Sequence, residues 1–152
     1  MNDVLHPTTV LRLDRGLALG AVLESASAAA RGPLLVKMDD DDLYGPEYLW
    51  DLVLAHGYFG ASLVGKFPAT VYHAGSDRTL RQRRVPAETW APSITDGATL
   101  LARADLERVG GWRPLRRHVD RRPVENVLRA GGSVYRTHDA GYRQRLHCAP
   151  PR

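Results

Sequence analysis

Apolar and polar positions along this chain switch between the two-residue period of strands and the longer period of helices. Residues 8–13, Thr-Thr-Val-Leu-Arg-Leu, are β-branched and apolar and predict a strand. Leu19, Val22, Leu23, Ala26 and Ala30 then recur at helical spacing until Arg31-Gly32-Pro33 stops the helix. Its small face, Ala26, Ala29 and Ala30, predicts close packing on a sheet. Leu34–Met38 reads as a buried strand, and Pro46 as a first-turn residue of the next helix. Leu49, Leu52, Val53 and His56 line one face of that helix, with His56 near its C-terminal end. Residues 61–67 predict a further strand. From Pro68 to Pro92 the pattern decays, with Arg78, Arg81, Arg83 and Arg84 crowded together and Trp90 beyond. This stretch reads either as a flap over a ligand or as a solvated insertion. Residues 94–101 predict a strand, and 104–109 a short helix ended by Gly110-Gly111 before Trp112. A helix from Pro123 to Gly131-Gly132 turns Val124, Val127 and Leu128 inward. Residues 133–137 and 142–147 predict two last strands.

The alternation of strand and helix predicts the α/β class: a mixed, mainly parallel sheet with helices on both faces and Leu34–Met38 at its centre. Residues 1–147 form one expected domain, and 148–152 a tail.

With 152 residues, 43% of them hydrophobic and 25% charged, the composition is that of an ordinary globular domain. The single cysteine, Cys148, excludes an intrachain disulfide framework and suits a reducing, cytoplasmic setting. No apolar run reaches the length of a membrane span, and residues 1–7 lack the pattern of a signal peptide. The net charge is +4. Lys37 and Lys66 are the only lysines among 21 Lys and Arg residues, so the positive charge is carried by arginine. Arginine's planar fork matches phosphate. The excess fits an anionic ligand such as a nucleotide diphosphate, or compositional bias. No nucleic-acid-binding pattern accompanies it, so nucleic acid is not an expected partner.

The chemistry concentrates where strand Leu34–Met38 runs into Asp39-Asp40-Asp41-Asp42, followed by Gly45-Pro46. Four adjacent carboxylates repel one another, and a cation relieves that. Oxygen ligands at the C-terminal end of a strand suit Mg²⁺ or Mn²⁺, ions that also hold phosphate oxygens. A solvated acidic turn is the plain alternative.

Four pieces, taken in order, resemble the family 2 glycosyltransferases of the GT-A fold. They are Val36-Lys37-Met38-Asp39-Asp40-Asp41-Asp42 with Gly45-Pro46; Asp96-Gly97-Ala98-Thr99 before Val109-Gly110-Gly111-Trp112; Val119-Asp120 ahead of the helix ending Gly131-Gly132; and Arg145-Leu146-His147. The resemblance implies an inverting transferase that moves a sugar from a nucleotide-diphosphate sugar to an acceptor hydroxyl. It implies that Asp39 and Asp41 form the Asp-x-Asp pair, with Asp41 holding the divalent ion and Asp39 facing the ribose or sugar. Asp40 would be a spacer within that cofactor-binding run and Gly97 part of the donor site. Asp120 would be the catalytic base, with Glu125 its rival, and His147 a further metal ligand beside Asp41 and Asp39. A complete domain of that family opens with a strand-helix-strand unit that builds much of the nucleotide pocket, and only residues 1–7 precede the first expected strand. The expectation is therefore the C-terminal part of such an enzyme, with an exposed apolar edge prone to self-association. The polymerising members' Gln-x-x-Arg-Trp is absent. Two other functions stay open: a non-catalytic relative acting as a binding partner, and a Mg²⁺-dependent phosphotransferase using Lys66.

Overall fold

The computed structural model describes residues 8–82, 85–95, 97–116, 119 and 121–147. The described residues form two mixed sheets, four α-helices and a short 3-10 turn at Ala74–Ser76. The larger sheet has the order β1-β7-β3-β8-β6, from Leu34–Met38 (β1), Ala98–Ala102 (β7), Leu63–Gly65 (β3), Val134–Arg136 (β8) and Thr89–Trp90 (β6). The smaller runs β2-β9-β4-β5, from Leu43–Tyr44 (β2), Tyr142–Leu146 (β9), Thr70–His73 (β4) and Arg78–Arg81 (β5). The helices are Leu19–Ala29 (α1), Tyr48–Phe59 (α2), Arg103–Arg108 (α3) and Arg121–Arg129 (α4).

Side-chain alternation in the larger sheet makes two cores. Leu34, Val36, Val64, Ala98, Leu100 and Tyr135 point to one face and pack with Tyr48, Leu52 and Ala55 of α2. Leu35, Leu63, Leu101 and Val134 point to the other. There they meet Leu106 of α3, Val124 and Val127 of α4, and Trp112. Helices on both faces are thus as expected.

Several expectations need correction. The sheet is not mainly parallel: among its described strands only β3 and β8 pair parallel, while β1–β7, β3–β7 and β6–β8 are antiparallel. Among the described strands β1 lies at the edge, not at the centre. β1 and β3 do run the same way, as strand-helix-strand implies, but β7 arrives later in the chain and inserts between them in the opposite direction. Residues 8–13 form no strand, and Val10, Leu11 and Leu13 are exposed. Strand propensity expresses itself only against a partner, and none of the described strands lies there. The small face of α1 does not close on the sheet either. Ala26, Ala29 and Ala30 border an open cavity of about 590 Å³ shared with Leu11 and Leu13. The stretch 68–92 is neither flap nor plain insertion. It contains the β4–β5 hairpin and β6, whose Trp90 packs edge-on against Tyr135 with ring centroids 5.4 Å apart. Finally, α4 begins at Arg121, which puts Pro123 inside its first turn, where no backbone donor is required.

The helix ends behave as the sequence suggests. Gly110 and Gly111 adopt left-handed φ values of 90° and 69° beyond α3. They turn the chain so that the Trp112 N–H donates to Glu24 of α1 at 2.8 Å. Across that interface, Arg103 donates to the Ser27 and Ala30 carbonyls at the C-terminal end of α1, at 2.7 and 2.6 Å.

Candidate functional site

The acidic run leaves β1 as a turn that the smaller sheet clamps. β2 pairs with β9, Leu43 opposite Arg143 and Tyr44 opposite Tyr142, and the Gly45 N–H donates to Gly141 O at 2.7 Å. The turn is thereby fixed to residues about a hundred positions later, and its four carboxylates receive different surroundings.

Asp42 is an anchor. It accepts from the Tyr142 hydroxyl at 2.7 Å and from the Arg145 N–H at 2.8 Å. Asp39 accepts from the Lys37 ammonium at 2.6 Å, and its own N–H donates to the Tyr44 hydroxyl at 2.7 Å. That hydroxyl in turn donates a hydrogen bond to Gly97 O at 3.0 Å. Asp40 points to solvent, with no hydrogen bond or ion pair from its side chain among the described residues. Asp41 lies 3.0 Å from His147 Nε2, and these two side chains remain open to water, 41% and 63% exposed.

Gly97 closes the inner wall. A Cβ there would stand 2.5 Å from Asp42 Oδ2 and 2.8 Å from Asp39 Oδ2, so a larger residue would push one or both carboxylates out of place. Tyr44, Tyr48 and Tyr142 pack around the turn with ring centroids 4.7 to 6.0 Å apart. Burial pushes all three hydroxyls well above the ordinary phenol range, and the charge of Asp42 raises each further. They stay protonated at any physiological pH, so Tyr142 and Tyr44 remain hydrogen-bond donors to this site.

The structure therefore sets Gly97 against Asp39 and Asp42, places Asp41 beside His147 and leaves Asp40 outside. It pairs Asp41 with His147 while Asp39 turns to Lys37. Among the described residues, no three His, Cys, Asp or Glu side chains converge as a ready metal cage. Asp96 and Asp120 lie outside the described residues. Glu125, the rival base, is the hub of an ion-pair cluster on α4. It sits 2.8 Å from Arg121, 3.4 Å from Arg122 and 3.8 Å from Arg129. The hydrogen bond from Arg121 leads in holding its carboxyl below the usual glutamate range, which suits an ion-pair partner rather than a proton acceptor.

Sequence reasoning missed Tyr44, Tyr142, Lys37 and the Asp51–Lys66 pair. Lys66 is fully buried, and its ammonium donates to Asp51 at 2.9 Å and to the carbonyls of His138 and Ala140 at 3.2 and 2.9 Å. These bonds tie α2 to the loop that delivers β9, and so set where Tyr142, Arg145 and His147 stand.

No protein-family model and no curated protein matches this chain. Among the described residues no helix is long and apolar enough to cross a membrane.

Proposed function

We propose that this chain carries the phosphate-binding and acceptor-facing part of a metal-dependent inverting glycosyltransferase. The observation that supports this most is the meeting of Asp41 and His147, 106 residues apart in sequence. Both are accessible, at the C-terminal mouth of β1, in a turn whose remaining carboxylates are either anchored or solvent-facing. One carboxylate oxygen and one imidazole nitrogen fit an ion that takes its other ligands from water and a diphosphate. Imidazole favours Mn²⁺ over Mg²⁺ in that set. When bound, the ion would neutralise the charge that develops on the leaving nucleoside diphosphate.

The chain's own residues divide the remaining work. Asp42, Tyr142 and Gly97 hold the turn in shape, and the Lys37 ammonium orients Asp39. Asp120 accepts the proton of the attacking acceptor hydroxyl, and a single displacement with one base inverts the anomeric centre. The test is calorimetry of nucleotide sugars with Mn²⁺ and with EDTA, followed by a transfer assay. Binding should need the ion. Asp120→Asn should lower turnover by about a hundredfold or more with donor affinity unchanged. Full turnover in that variant would remove Asp120 as the base.

A second reading is a non-catalytic module that binds a partner, including another copy of itself, through an open sheet edge. The outer edge of β1 has no strand beside it among the described residues, and apolar Leu11, Leu13 and Val22 border an open cavity beside α1. A monomer at high concentration in light scattering would count against it. The phosphotransferase reading loses its lysine, because the Lys66 ammonium is sequestered by Asp51 and two carbonyls.

A further inference from the structure

We propose that the outer face of α2 is a homodimer interface, on which two copies of this chain pair their α2 helices antiparallel about a two-fold axis. A helix that covers a sheet is apolar on the covered side and polar on the other. α2 is apolar on both. Tyr48, Leu52 and Ala55 fill the core beneath it. The opposite side carries Leu49, Trp50, Val53, Leu54, Gly57 and Tyr58, at helical spacing and without a charge. Trp50, Leu54 and Tyr58 are 59%, 51% and 85% exposed. The face continues into an aromatic cluster: the Tyr58 and Phe59 ring centroids are 4.9 Å apart, and those of Phe59 and Trp90 6.2 Å. The exposed parts of Trp50, Tyr58, Phe59 and Trp90 amount to roughly 500 Å², at about 200 Å² per aromatic side chain. Leu49, Val53 and Leu54 bring the face toward the ~800 Å² that each partner of a standard interface buries. An exposed apolar patch of that size marks an interaction surface.

Shape and charge select a second copy as the occupant. Trp50 is the largest knob on the face and Gly57 a notch, since a Cβ there would meet nothing within 4 Å. They stand seven residues apart, about two turns, on the same side of the helix. The midpoint between them falls between Val53 and Leu54, about 5 Å from each. A two-fold through that midpoint lays each Trp50 over the Gly57 of the other copy and packs Val53 and Leu54 against their own counterparts. That is the reciprocal pattern an isologous interface demands. A face without charge also sets no like charges against each other across the two-fold, although the chain as a whole carries +4. Of the ionisable groups within α2, Asp51 is held by Lys66 and His56 is half-buried. A membrane surface fits less well, because helices that lie on a bilayer carry Lys and Arg on their polar face and α2 has neither. The interface is separate from the open β1 edge and does not rest on the transferase reading.

Sedimentation velocity of the full chain over a dilution series should show a monomer–dimer equilibrium with a Kd in the micromolar range or tighter. Gly57→Leu is the sharpest variant. Leucine favours the helix over glycine and its Cβ meets open space, so the circular dichroism should stay native, while the filled notch should weaken the dimer about tenfold or more. Trp50→Ala removes the knob and should weaken it as much. Trp50→Ala/Gly57→Leu exchanges knob and notch about the same axis and should dimerise more tightly than Gly57→Leu. A monomer at every concentration, or a double variant no tighter than Gly57→Leu, would overturn the proposal. So would wild-type affinity in either single variant, which moves the contact to the β1 edge, or a monomer that co-sediments with vesicles of phosphatidylcholine and phosphatidylglycerol, which assigns the face to a membrane. Each result reads the same whether or not the protein binds Mn²⁺ and nucleotide, so failure here leaves the transferase reading untouched.

Discussion

Four aspartates of one composition hold four different jobs. Asp42 accepts a buried tyrosine hydroxyl and a backbone N–H from β9, while Asp40 has no partner among the described residues. Asp42→Asn should therefore lower stability by about 1–3 kcal/mol in urea unfolding, because it weakens two charge-assisted bonds and sets an amide donor near the Tyr142 hydroxyl. Asp40→Asn should stay within about 0.5 kcal/mol. Equal effects would dissolve the distinction between anchor and solvent-facing carboxylate. The sequence announces the acidic run but not this division. Asp42 looks like a turn residue until Tyr142 and Arg145, a hundred positions away, are laid beside it. Gly97 was legible as part of the site, though what it stands against, Asp39 and Asp42, was not.

Among the elements, α2 and the loop before β9 are joined by a buried ion pair rather than by apolar packing. Asp51→Ala would strand the Lys66 ammonium with carbonyls alone and should cost about 3 kcal/mol or more. Adding Lys66→Met should recover part of that loss, since the stranded charge is the source of the damage. A double variant no better than Asp51→Ala by thermal unfolding would contradict this. On α4, the folded-state pKa of Glu125 is lowered by its arginines, first by the Arg121 hydrogen bond. Its contribution is then present above the ordinary glutamate pKa and lost as pH falls through the lowered value. Wild type should lose stability across that acidic window, and Glu125→Gln should flatten that part of the profile. Element type was legible from periodicity along most of the chain; neighbours were not. Strand-helix-strand correctly implied that β1 and β3 run in parallel directions, but nothing local foretold β7 between them. The hairpin of β4 and β5 escaped because its strand β5 is mostly exposed and arginine-rich, so it carries no hydrophobic alternation.

At the scale of the molecule, the accessible Asp41–His147 pair stands where β1 ends and β9 closes over the acidic turn. The expected base, Asp120, is the residue before α4, and its placement lies outside the described residues. The central claim is that Asp41 and His147 act on one divalent ion. A double-mutant cycle tests it most directly. The Mn²⁺-dependent affinity for uridine and guanosine diphosphates is measured for the wild type, Asp41→Asn, His147→Ala and the double variant. Two ligands of one ion predict a loss of about tenfold or more in each single variant. They also predict a double variant little worse than the weaker of the two singles, and no difference among the four proteins in EDTA. Small, equal and additive losses, or nucleotide binding indifferent to Mn²⁺, would return the acidic turn to a solvated surface feature.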